Sequence, residues 1–112
     1  MSEAKEFFQN IGPRMNQMKE QLPGTFDGFM GLFGKAMAAG SITVLEKELI
    51  ALGIGVSAKC PPCIRMHVKK CLDAGDTREQ ILETAGVAVM MGGGPAFMHI
   101  AEVLEALEAL GK

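Results

Sequence analysis

The 112-residue sequence has no tryptophan, no tyrosine, no excess of either charge and only three cysteines. Each shortage narrows what the chain can be. Eleven Lys and Arg stand against 13 Asp and Glu, for a formal net charge of −2. No global field of that size draws a protein to nucleic acid or to a membrane surface, and neither is expected as a partner. No apolar run reads as long enough to span a bilayer. The opening residues, Met1-Ser2-Glu3-Ala4-Lys5-Glu6, lack the basic and then apolar layout of a secretory signal, so a cytoplasmic location is expected. Three cysteines in a reducing compartment do not make a structural disulfide framework. They are inert, metal-binding or redox-active. No segment alternates with period two, none carries a hairpin signal, and no internal repeat or low-complexity tail is found.

What is present is apolar and flexible. Hydrophobic residues make up 48% of the chain, with nine Met and six Phe, and the mean hydropathy is +0.21. That is high for so short a chain, which can bury only a modest core of its own. Methionine fills irregular interiors and interfaces, so the composition predicts apolar surface buried between copies, that is, a homo-oligomer. Charge is unevenly placed. Lys59, Arg65, Lys69 and Lys70 gather around the cysteines, whereas Glu102, Glu105 and Glu108 mark a solvated helix face.

The apolar positions recur at helical spacing throughout, which predicts an all-α bundle of about six helices. One domain over 1–112 is expected, with N-terminal helices in 1–40 and the motif-bearing core in 41–112. Phe7, Ile11, Met15, Met18 and Leu22 mark a first helix over 3–22, kinked or split at Gly12-Pro13. Phe26, Phe29, Met30, Phe33 and Met37 form a second apolar stripe ending at Gly40. A third helix, about 43–57, carries Glu48; its stretch 50–56 could also read as a short strand. A fourth runs from Cys60 to about Ala74, with Gly75 as its stop. Thr77 and Gln80 form a capping box for a fifth helix to about Met91. Gly92-Gly93-Gly94 breaks the chain, and Pro95 suits the first position of a sixth helix to about Leu110. The glycine run matches neither a P-loop nor a dinucleotide fingerprint, and no strand precedes it.

The chemistry concentrates at the start of the fourth helix. Cys60, Cys63, His67 and Cys71 share one helical face. Cys60 and Cys63 are one turn apart, close enough for a disulfide. Pro61 and Pro62 fall in the first turn, where their missing N–H groups break no helical bond. Cys60 is then the N-cap, where the helix dipole favours a thiolate, the nucleophilic form. The two prolines remove donors, leaving the N–H of Cys63 as the main one that can solvate that sulfur. Lys59 and Arg65 can add positive charge. If the third and fourth helices form a hairpin turning near residue 58, Glu48 comes opposite His67 and Gly53 opposite Cys63. Glu48 can then orient His67, and His67 can take the proton of Cys63. A zinc site from Cys60, Cys63, His67 and Cys71 is the competing reading. A continuous helix separates residues 60 and 71 by roughly 16 Å, too far for one tetrahedral ion, so no metal and no other cofactor is expected. Cys71 reads as a small buried hydrophobe. His99, one turn into the last helix, reads as a surface or interface residue.

Glu48, eleven residues, Cys60-x-x-Cys63, three residues and His67 together resemble the alkylhydroperoxidase D-like motif of the carboxymuconolactone decarboxylase-like superfamily. Met91-Gly92-Gly93-Gly94-Pro95-Ala96 is similar to a stretch of its small single-domain members, and the resemblance covers about 40–107. It implies an all-helical fold assembled into homotrimers or homohexamers. It implies an enzyme, a thiol-dependent peroxidase or disulfide reductase with an antioxidant role, whose partners are a peroxide or disulfide substrate and a thiol reductant or redox protein. By the same resemblance Cys63 meets the peroxide and becomes a sulfenic acid, Cys60 resolves it as a disulfide, and Glu48 and His67 form the proton relay. One departure is Pro62, at a position where the best-known alkylhydroperoxidases often carry His. The alternatives are a non-redox member of the fold, such as a decarboxylase, and a zinc-stabilised interaction module. The decarboxylases proper lack the redox C-x-x-C.

Overall fold

A computed structural model describes residues 2–112, and every regular element among them is a helix: α1 (Glu3–Gln21), α2 (Pro23–Met37), α3 (Val44–Ser57), α4 (Pro61–Ala74), α5 (Arg78–Met98) and α6 (Ile100–Ala109). The caps show why the elements start where they do. Ser2 accepts from the Lys5 N–H at 3.1 Å, placing α1 two residues after the first Met. Thr43 with Glu46, and Thr77 with Gln80, close capping boxes on α3 and α5, each satisfying two otherwise unpaired N–H groups. Gly75, at φ 108°, ends α4 in the left-handed conformation that glycine adopts without a Cβ clash. Residues 50–56 are helical, not strand.

One expected boundary moves: Pro13 lies inside α1 without dividing it. The break expected in the glycine run is present, because Gly93 leaves helical dihedrals (φ 73°, ψ −159°) and α5 is two helical stretches joined across that kink. A further interruption falls at His99, before α6. Gly92 permits a close approach at the kink, since a Cβ on it would sit 2.7 Å from the Ala96 Cβ. The expectation that no run is long enough to span a bilayer also needs correction, because Arg78–Met98 is long and apolar enough by length and composition. The kink at Gly93 nevertheless leaves an uninterrupted helical stretch of about 22 Å before it, short of a hydrocarbon core of about 30 Å. One face of that stretch, Ile81, Ala85 and Ala88, is spent on the protein's own core.

The core lies where α3, α4, α5 and α6 meet. Leu52 and Val56 from α3, Ile64 and Val68 from α4, Ile81 from α5 and Val103 and Leu107 from α6 are all fully buried. Each such side chain contributes about 1.5–3 kcal/mol by leaving water. This packing fixes α3 against α4, and with it the positions of the site residues they carry. The N-terminal helices are held differently. α1 rests on α4 and α6, with Phe8 packed against the core, while α2 buries no residue completely.

Candidate functional site

The site is built at the turn between α3 and α4. Lys59, at φ 56°, reverses the chain. The Cys60 N–H donates to the Gly55 carbonyl at 3.1 Å, and this bond sets how the two helices register. Gly55, not Gly53, is therefore the glycine opposite Cys63. A Cβ on Gly55 would stand 3.4 Å from the Cys63 Cβ, whereas Gly53 faces Thr84. The hairpin count placed the crossover two residues too far from the turn.

Cys60 occupies the N-cap of α4 in extended backbone, and Pro61 and Pro62 fill its first turn. The Cys63 N–H donates to the Cys60 sulfur at 3.3 Å, the single donor the prolines leave. The two cysteines are joined as a disulfide with a Cα–Cα distance of 5.3 Å, inside the ordinary range for such a bridge. Cys60 is half-buried and Cys63 is exposed.

One turn further along α4, His67 Nδ1 lies 2.8 Å from Glu48 Oε1, with both side chains largely withdrawn from water (14% and 8% exposed). With Nδ1 held by the carboxylate, Nε2 is the ring nitrogen free to exchange a proton. The Phe33 ring stacks on the imidazole, centroids 6.2 Å apart at 20°, and the Lys70 ammonium sits over Phe33 at 5.2 Å. Cys63 and His67 open onto one cavity of about 360 Å³ whose other walls include Phe29, Leu32, Phe33 and Ile54. Phe33 is the residue the sequence reading missed. It belonged to an apolar stripe with no visible target, and nothing in the sequence announces that α2 covers His67.

The remaining candidates fall elsewhere. Of the cations read as surrounding the cysteines, Arg65 is taken up by α1, pairing with Glu3 at 3.3 Å and lying over Phe7. Lys69 pairs with Asp73 at 2.8 Å. Lys70 sits over Phe33, and among the described residues Lys59 makes no ion pair. His99 contacts Glu102 at 3.2 Å on α6. Among the described residues no three His, Cys, Asp or Glu side chains converge as metal ligands, consistent with an unbroken α4. Cys71 is fully buried. Burial pushes its thiol far up, and the charges of Asp76 and Glu48 push it further. Because the thiolate is the reactive form, alkylation of the native reduced protein should label Cys60 and Cys63 only. Cys71 should react after denaturation. Mass spectrometry of the labelled peptides reads this directly, and Cys71 modified at the rate of the other two would contradict the burial.

Comparison with known proteins follows the same geometry. The sequence model of the carboxymuconolactone decarboxylase family matches residues 23–106. The crystal structure of an apo carboxymuconolactone decarboxylase family protein from Legionella pneumophila superposes with a TM-score of 0.91 at 36% identity, covering 100% of both chains. A family protein from Thermotoga maritima, for which a part in the antioxidative response has been suggested, superposes with a TM-score of 0.83 at 26% identity over 94% of this chain and 89% of its own. An uncharacterised protein of Cupriavidus necator is 29% identical over 109 residues, 97% of this chain and 96% of its own.

Proposed function

The chain belongs to the carboxymuconolactone decarboxylase family, and from that premise we propose that it is a thiol-dependent oxidoreductase that reduces peroxides through Cys60 and Cys63. The observation that carries this reading is the joint placement of Cys63 and His67 on one cavity, with His67 anchored by Glu48.

In the reduced protein His67 Nε2 accepts the Cys63 proton, and the resulting thiolate attacks the outer oxygen of a hydroperoxide. The O–O bond breaks, Cys63 becomes a sulfenic acid, and His67 returns its proton to the departing alkoxide, giving an alcohol. Cys60, one turn away, attacks the sulfenic sulfur. Water leaves and the 60–63 disulfide forms. An external dithiol then donates two electrons and two protons, and Cys60 at the N-cap is the sulfur suited to exchange with it. The thiol-rich cytoplasm expected from the sequence suits that last step.

A second reading, disulfide reduction without peroxide chemistry, is favoured by that N-cap placement. Anaerobic turnover separates the two. Consumption of hydroperoxide that depends on a small dithiol supports the peroxidase, while exchange with a disulfide at undiminished rate and no hydroperoxide consumption supports the reductase.

We also propose that the working form is a homotrimer or homohexamer. Met90, Met91, Phe97 and Met98 are 59–76% exposed along the α5 and pre-α6 surface, next to exposed Ile50, Ile54 and Val87. Apolar surface gathered in this way marks an interaction face, and a specific interface buries on the order of 1,000 Å² or more. Light scattering at micromolar concentration should give a multiple of the 11.9 kDa chain mass; a monomer would contradict the proposal.

A further inference from the structure

Glu48 holds His67 at one atom, through the 2.8 Å contact at Nδ1. A ring fixed at one atom can still tilt about that contact, and a tilt carries Nε2 away from the cavity that His67 shares with Cys63. The second constraint comes from α2. The Phe33 ring lies on the imidazole with centroids 6.2 Å apart and planes 20° apart, an offset stack within the range that aromatic pairs prefer. Phe33 is half-buried on a helix that buries no residue completely, so the core does not dictate where its ring sits.

Two other contacts do. Lys47 of α3 donates from Nζ to the carbonyls of Ala36 at 2.9 Å and Ala38 at 2.6 Å, satisfying carbonyls at the end of α2 that have no helical partner. Residue 47 thus secures α2 and residue 48 secures the imidazole, so neighbouring residues of α3 set the two rings against each other. Lys70, one turn beyond His67 on α4, places its ammonium 5.2 Å from the Phe33 centroid. The helix that carries the imidazole therefore also grips the ring that covers it. The charged groups on this pair of rings are Glu48 of α3 at the imidazole and Lys70 of α4 at Phe33; among the described residues no side chain of α2 makes an ion pair.

We propose that Phe33 is a positioning residue for His67: it fixes the plane of the imidazole so that Nε2 faces Cys63, and it favours the imidazolium formed when His67 takes the Cys63 proton. The electron-rich face of an aromatic ring attracts a cation. Its cover also keeps water from weakening the attraction between Glu48 and the imidazolium. The Cys63 thiolate is then available at pH values where a thiol does not ionise unaided. This rests on the assignment of His67 to Cys63. The test below uses no hydroperoxide, so loss of peroxidase activity and loss of this proposal are separable outcomes.

Alkylation of Cys63 in the reduced full-length protein decides it, with rates followed across pH and Cys63 separated from Cys60 by fragment-ion mass spectrometry. Phe33→Leu keeps an apolar cover and removes the aromatic ring. It should slow Cys63 about three- to tenfold near pH 6, the size of an aromatic pair's contribution, and far less near pH 10, where the thiol ionises without help. Phe33→Tyr keeps the ring and should restore the rate. In a His67→Ala background, Phe33→Leu should have no further effect. Because α2 buries no residue completely, these variants should fold. A wild-type rate near pH 6 in Phe33→Leu, beside a slow His67→Ala, would overturn the proposal and leave the relay standing. Equal slowing at every pH, slowing that persists without His67, or no recovery in Phe33→Tyr would reduce Phe33 to a cavity wall and overturn it too. A wild-type rate in His67→Ala would remove the relay and this role with it.

Discussion

Replacing His67 by Ala, or Glu48 by Gln, is expected to slow oxidation of Cys63 by hydroperoxide about 10²-fold or more, a usual size for positioned acid–base help and roughly 2.7 kcal/mol of barrier. The 2.8 Å contact between His67 Nδ1 and Glu48 makes the two residues one device. Their effects should therefore not add, and the double variant should be hardly slower than either single one. Glu48 is 6% exposed, so His67→Ala strands a buried carboxylate as well as removing a base. Rates are to be compared on protein shown to be folded by circular dichroism. Glu48→Gln is the cleaner variant, because the amide oxygen can still accept from the imidazole while the charge is gone. Second-order rates of thiol loss across pH measure all of this. Full additivity, or unchanged rates at every pH, would mean that Cys63 reacts without the relay.

The cysteine variants should separate the two sulfurs. Cys63→Ser should abolish peroxide reduction. Cys60→Ser should still consume one equivalent of hydroperoxide and then stop, with a sulfenic acid on Cys63 that a dimedone-type trap captures. The third thiol cannot take over resolution. Cys71 is eight residues on, about 12 Å along the helix, fully buried, and its ionisation is strongly opposed. Continued turnover in Cys60→Ser, or trapping at Cys60 in the wild type, would reverse the roles assigned here.

The parts of this arrangement that could be read from the sequence are those that local chemistry determines. Thr43 with Glu46 and Thr77 with Gln80 state their helix starts through capping geometry alone. Pro61 and Pro62 make Cys60 an N-cap wherever the helix goes. The pairing of Glu48 with His67 was legible because both lie on helices joined by a short turn. The turn itself was not legible in detail. Its register depends on the hydrogen bond from Cys60 to Gly55, which spacing does not reveal, so Gly53 was named where Gly55 stands. The break in the glycine run was legible, since Gly93 takes the positive φ that glycine adopts freely; the further interruption at His99 was not, because no turn residue stands there to announce it. Contacts made by tertiary placement alone left no local signature. Phe33 on His67 and Arg65 drawn to Glu3 and Phe7 were invisible for that reason.

Peroxide reduction through Cys60 and Cys63 is tested by a single turnover. Fully reduced wild-type protein is mixed anaerobically with a small excess of an alkyl hydroperoxide and no reductant, and the alcohol released is counted beside the thiols lost. One alcohol per chain is expected, with loss of two thiols and a disulfide mapped by mass spectrometry to Cys60 and Cys63, Cys71 remaining free. Hydroperoxide left intact while Cys60 and Cys63 stay reduced would contradict it.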